Sequence, residues 1–143
     1  AVWCHWCHVQ AEESWNNKEI AEIINSKFIA VKVDRDERPD IDQTYQSFVQ
    51  AFSGNGGWPL TVFITSDKKP FFGGTYIPPE NFKSILDSIA ETYKDSGSEV
   101  ESATKDIWSA LESAEKPFKG ELSEKTIEIG IATIIILKKN QEE

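Results

Sequence analysis

The sequence predicts an α/β fold: a central sheet flanked by helices, with a helical C-terminal extension. Three observations carry this reading. Positions 4–8 read Cys-His-Trp-Cys-His and open a helical stretch. Two runs rich in β-branched residues, Phe28–Asp34 and Leu60–Thr65, are separated by an amphipathic helix pattern. A glycine-rich loop leads into Trp58-Pro59 just before the second run.

Taken in order, residues 4–15 read as a helix entered at the first cysteine and broken by Trp15 and Asn16-Asn17. Asn16, with Glu19 three positions on, resembles a capping box for a second helical piece. In that piece Ile20, Ile23, Ile24 and Phe28 recur at helical spacing. Phe28–Asp34 follows as a strand, and Arg35-Asp36-Glu37-Arg38 as a charged loop whose ion pairs are worth only ~0–1 kcal/mol each. Pro39 suits the first turn of a helix, with Asp40 and Asp42 at its positive end. That helix runs to about Phe52 along Ile41, Tyr45, Phe48 and Val49.

Ser53-Gly54-Asn55-Gly56-Gly57 is a loop. A strand from Leu60 to Thr65, a turn over 66–69 and a strand from Pro70 to Tyr76 complete a hairpin. Phe82, Ile85, Leu86, Ile89 and Tyr93 define an amphipathic helix over 80–94. Ser96-Gly97-Ser98 marks the boundary between a first domain, 1–95, and an extension, 96–143. Helices are expected over about 99–115 and 123–138, although the isoleucine run in the second also suits a strand.

Composition narrows the function classes. The 143 residues carry a formal net charge of −9, the wrong sign for a phosphate-binding face, so no nucleic acid partner is expected. No apolar run approaches the ~20 residues of a membrane span. No signal-peptide pattern opens the chain. Both cysteines and both histidines fall within positions 4–8. A disulfide closing so short a loop removes little chain entropy. The pair therefore reads as redox-active or metal-binding rather than as a staple, and a cytoplasmic setting is expected.

A C-x-x-C next to a βαβ pattern reads as a thioredoxin-like redox motif. The strand–helix–strand unit is expected to be a right-handed crossover between parallel strands. A thioredoxin-like fold also has a buried strand feeding the C-x-x-C, and only three residues precede Cys4. That upstream strand is expected to be missing from this chain, at a cost in stability.

Five separated motifs then resemble one family. They are Cys4-His5-Trp6-Cys7-His8-Val9 with Glu13-Ser14, Lys32-Val33-Asp34-Arg35-Asp36-Glu37-Arg38-Pro39-Asp40, Gly56-Gly57-Trp58-Pro59-Leu60, and Pro70-Phe71-Phe72-Gly73-Gly74-Thr75-Tyr76. Over about residues 4–80 the chain resembles the thioredoxin-like domain of the spermatogenesis-associated protein 20 family. The resemblance implies a long protein in which this domain precedes an α/α-barrel related to six-hairpin glycosidases, a possible partner domain. It also implies that Pro59 is cis and that the backbone before it pairs with substrate as an added strand. Gln10 and Gln46 depart from the family where apolar residues are expected. Ser66 stands where proline is common, and Trp3 precedes the first cysteine as in ordinary thioredoxins.

The chemistry follows from position. A cysteine at a helix N-terminus faces unpaired N–H groups and the positive end of the dipole, which favours the thiolate. Cys4 is therefore expected to attack and Cys7, one turn inward, to resolve the mixed disulfide. His5, Trp3, Trp6 and His8 are expected to tune the pair, with His5 protonation favouring the thiolate. Trp58 and Pro59 are expected to wall the groove for a protein or small thiol or disulfide substrate. Glu12 and Glu13 are read mainly as acids favouring the helix dipole, with proton acceptance from Cys7 as the other role.

No cofactor and no resident metal are expected. Cys-x-x-Cys-His also spells a haem attachment motif, but the chain has no methionine to serve as an axial ligand. Four adjacent residues on one helical turn do not surround a single ion tetrahedrally, so a metal would need ligands from another chain. Two alternatives stay open: a non-catalytic binding or regulatory module of a larger protein, and a Cys/His metal site shared between chains.

Overall fold

A computed structural model describes residues 4–114 and the backbone of 131–137. Helix α1, His5–Gln10, continues without a break into a π-helical turn, Ala11–Trp15. Helix α2, Lys18–Lys27, leads directly into strand β1, Phe28–Asp34. Helix α3, Pro39–Ser53, is followed by the hairpin β2, Leu60–Ile64, and β3, Pro70–Gly74. Helix α4 spans Pro79–Ala114 and bends where Ser96 leaves helical geometry. Strand β4 is Ile131–Leu137.

Local signals explain most of these ends. Asn17, one residue later than expected, caps α2, accepting from the N–H groups of Glu19 (3.0 Å) and Ile20 (3.3 Å). Pro39 occupies the first turn of α3, and Gly54 ends it in the left-handed conformation at φ 79°. In the π turn the Asn16 N–H reaches back five residues to the Ala11 carbonyl at 3.0 Å.

The four strands are ordered β1-β4-β2-β3. Strand β4 runs antiparallel to β1 along all seven residues and parallel to β2 along Leu60–Ile64. Two expectations are corrected here. The isoleucine run is a strand, not the last helix; β-branched residues suit the pleated backbone between two partners. The rest of the segment read as helix over 123–138 lies outside the described residues. Strands β1 and β2 also run in opposite directions, since β4 opposes one and follows the other. The β1–α3–β2 unit is therefore not a parallel crossover.

Two apolar clusters sandwich the sheet. Phe63 joins Ile20, Ile24, Phe28, Ile77, Phe82 and Leu86 on the side of α2 and α4. Leu60, Val62 and Ile64 join Val33, Tyr45, Phe48 and Val49 on the side of α3. Strand β2 thus divides its buried residues by strict alternation between the two faces. Helix α1 reaches this sheet through Gln10, whose Nε2 donates to Thr61 Oγ1 near the start of β2.

Candidate functional site

The candidate site draws on two segments, the start of α1 and the loop before β2. Cys4 has extended geometry (φ −78°, ψ 95°) and is the N-cap: its sulfur accepts from the Cys7 N–H at 3.3 Å. Cys4 and Cys7 are joined as a disulfide, with their Cα atoms 5.3 Å apart. Their exposure differs: Cys4 is half-buried, while Cys7 lies under the helix at 7%. The helix itself causes this asymmetry, since the cap residue stands outside the first turn and the residue three later turns inward.

Around the pair the surface is aromatic. Trp6 is 53% exposed and packs at 4.9 Å between ring centroids on Tyr76. His5 meets the edge of Trp6 at 5.7 Å. The Tyr76 hydroxyl donates to the Glu13 carboxylate, and this bond, first among the causes, pushes the phenol above its usual value. His8 is exposed on the same helix. The role expected for Trp3 falls outside the described residues.

The second segment is Gly54–Pro59. Its Trp58–Pro59 peptide bond is cis, and Pro59 is buried at the entrance to β2. Trp58 is half-buried and held on two sides. Its indole Nε1–H donates to Asp42 Oδ1 at 2.9 Å, and the Arg35 guanidinium carbon lies 4.6 Å from its ring centroid. Arg35 Nε in turn lies 3.7 Å from Asp42 Oδ2. Gln46 grips the preceding residue: its Nε2 donates to the Gly57 carbonyl at 2.8 Å, and its Oε1 accepts the Gly57 N–H at 3.2 Å.

The hairpin links the two segments. Thr61 pairs with Gly74, which places the end of β3 beside the start of β2. A Cβ on Gly57 would lie 3.8 Å from the Thr75 methyl group, and the next residue, Tyr76, carries Trp6. From the other side Gln10 Nε2 donates to Thr61 Oγ1 at 3.2 Å, tying α1 to β2 two residues beyond Pro59. Trp6 thus meets Tyr76 just beyond β3 and Gln10 meets Thr61, so α1 lies against the hairpin that Trp58 and Pro59 open.

The charged loop divides. Arg38 and Asp40 form an exposed pair at 2.7 Å, which holds the Asp40 carboxyl down at about 2. Arg35 instead turns inward to Trp58. Asp42 and Gln46 are residues that sequence reasoning placed elsewhere, as a helix-dipole acid and as a departure from the resembled family. The available signal was chemical: an indole N–H in a groove needs an acceptor. Glu13 faces Tyr76. Among the described residues, no three Cys, His, Asp or Glu side chains converge as metal ligands.

An N-capping C-x-x-C beside a glycine-led cis Trp-Pro, on a sheet covered by helices, defines a thioredoxin-like domain. The chain belongs to the DsbH-like thioredoxin family, described as a protein of unknown function, DUF255, whose model matches residues 1–112. Among curated relatives, human spermatogenesis-associated protein 20 is 50% identical over 97 residues, covering 64% of this chain and 12% of that protein. The rat protein of the same name is 48% identical over 97 residues, with the same coverage of 64% and 12%. Uncharacterized protein B0495.5 of Caenorhabditis elegans is 50% identical over 100 residues, covering 66% of this chain and 14% of that protein. The matched region thus spans only 12–14% of the length of these relatives. No helix among the described residues is long and apolar enough to cross a membrane.

Proposed function

We propose that this domain performs thiol–disulfide exchange, with Cys4 as the attacking thiol and Cys7 as the resolving one. One observation carries the reading: a half-exposed Cys4 caps α1 and accepts the Cys7 N–H, over a buried partner within disulfide reach. The cap N–H and the helix dipole favour the Cys4 thiolate.

In the reducing direction, the Cys4 thiolate attacks one sulfur of a substrate disulfide. The substrate S–S bond breaks, one substrate thiolate leaves and a mixed disulfide forms. Cys7 loses its proton and attacks Cys4 Sγ, releasing the second substrate thiolate. The two thiolates take up two protons, two electrons have passed to the substrate, and the chain is left with the Cys4–Cys7 disulfide. An external dithiol must then reduce that disulfide before another cycle. In the oxidising direction the same disulfide takes two electrons from a substrate dithiol. Tuning by His5 and Trp6, and a groove wall formed by Trp58 and Pro59, belong to this proposal. A cytoplasmic setting, expected from cysteine usage, would supply reduced thiols to regenerate the pair.

A second reading rests on length. The matched region spans 12–14% of its curated relatives, which suits a binding or regulatory module of a larger protein. Insulin reduction with dithiothreitol as the electron source separates the two. Exchange requires Cys4→Ser to abolish turnover and Cys7→Ser to accumulate a mixed disulfide detectable by mass spectrometry. Equal rates for wild type and Cys4→Ser would overturn exchange and leave the module reading.

A further inference from the structure

We propose that Asp42 and Gln46, one turn apart on α3, are positioning residues for substrate binding. Together they hold the Gly57–Trp58 approach to Pro59 in the conformation that receives an extended substrate backbone. The inference rests on the exchange reading above and adds residues that neither the C-x-x-C nor the Trp-Pro motif contains.

Residues four apart share one face of a helix. The face carrying positions 42 and 46 meets the loop at two consecutive residues. Asp42 is 4% exposed and aims one carboxylate oxygen at the Trp58 indole N–H (2.9 Å) and the other towards Arg35 (3.7 Å). Gln46 takes both polar groups of the Gly57 backbone, as donor to its carbonyl and acceptor of its N–H. A Cβ on Gly56 would come to 3.0 Å from Gln46 Oε1, so the loop backbone passes close to the amide. With the Gly57 groups taken and no N–H on Pro59, pairing with an incoming strand is directed to the Trp58 backbone.

Stability alone does not call for this arrangement. A buried carboxylate is costly, and the Asp42–Arg35 separation is that of an ion pair rather than a hydrogen bond. Apolar residues of similar volume often hold packed elements as firmly as a buried ion pair does. What they do not do is fix the direction of an indole N–H or the plane of the Gly57 peptide.

The test uses the full chain and an extended peptide from the insulin B chain, in two forms. One has its cysteines replaced by serine and reports binding by NMR titration. The other carries a disulfide and reports kcat and KM. Asp42→Leu and Gln46→Leu are expected to raise Kd and KM about tenfold, the size of one lost charged or paired hydrogen bond, with kcat within about twofold. Asp42→Asn, which keeps an acceptor for the indole, is expected to restore most of the affinity. Trp58→Phe keeps a ring but removes the N–H, and should weaken binding as Asp42→Leu does. Because Trp58→Phe also alters the groove wall, Gln46→Leu, which leaves the indole in place, reads the grip on the loop if Asp42→Leu does not fold.

Unchanged Kd in folded variants, a loss confined to kcat, or no rescue by Asp42→Asn would overturn the proposal. So would a wild-type chain that exchanges disulfides yet binds no serine peptide. A wild type that binds the serine peptide through these residues but exchanges nothing would instead overturn exchange and leave the positioning roles standing.

Discussion

Gln10 is fully buried, and only half of its amide is satisfied among the described residues: Nε2 donates to Thr61 Oγ1, while Oε1 has no hydrogen-bond partner there. A buried acceptor without a partner costs about 1–3 kcal/mol, more than the ~1 kcal/mol that a neutral hydrogen bond returns. The double change Gln10→Met with Thr61→Val removes both polar groups at nearly constant volume. It is expected to stabilise the chain by about 1 kcal/mol, a rise in Tm of about 3 °C for a domain of this size. A lower Tm by calorimetry would show that the polar pair is itself stabilising. Gln10 and Gln46 look alike in the sequence, each a glutamine where the family resemblance leads to an apolar residue. Their fates differ because one faces a strand hydroxyl and the other a loop backbone, partners 51 and 11 residues away. Periodicity reports which face a residue is on, not what stands opposite.

Elements were legible where one signal governed them. Strand β1 lies where its β-branched run predicted, and α3 starts at the expected proline. The π turn was not legible, because its five-residue bonding leaves no mark on apolar spacing. Strand β4 was ambiguous because an isoleucine run satisfies both periods, and the partners that decide it lie about 100 and 70 residues back in the chain. The packing of α3 on β3 was equally invisible. A Cβ on Gly73 would lie 2.8 Å from Val49 Cγ2 and 3.1 Å from the Thr61 carbonyl, so α3 and β2 close on that position together. Gly73→Ala is therefore expected to destabilise by about 1–3 kcal/mol through overpacking. Its urea midpoint should fall, and an unchanged midpoint would mean that the contact relaxes freely.

For the molecule as a whole, the three tyrosines give a common readout. Burial pushes the Tyr45 phenol up. The hydrogen bond to Glu13 raises Tyr76. Burial, then the bond to Glu101, pushes Tyr93 up to about 12 at the α4 bend. A raised pKa means that the fold favours the protonated phenol. That contribution to stability is fully present below the unfolded value of ~10 and is lost as pH rises through the folded values. Tyrosinate absorbance of the native chain should accordingly appear only above pH ~10, the last step near 12, while the urea-unfolded chain titrates near ~10. A native tyrosine ionising at or below ~10 would contradict the packing described around these rings. The fold class, the cysteine pair and the Trp-Pro loop were all readable because each is a local motif. The antiparallel relation of β1 to β2, and the polar grip of α3 on the loop, exist only once distant segments meet. The central claim is that the helix start makes Cys4 the nucleophile, and it is tested most directly by alkylating the reduced Cys7→Ser chain with iodoacetamide across pH. The account predicts a single thiolate titrating clearly below the ~8.5 of a free cysteine; a midpoint at or above ~8.5 would contradict it.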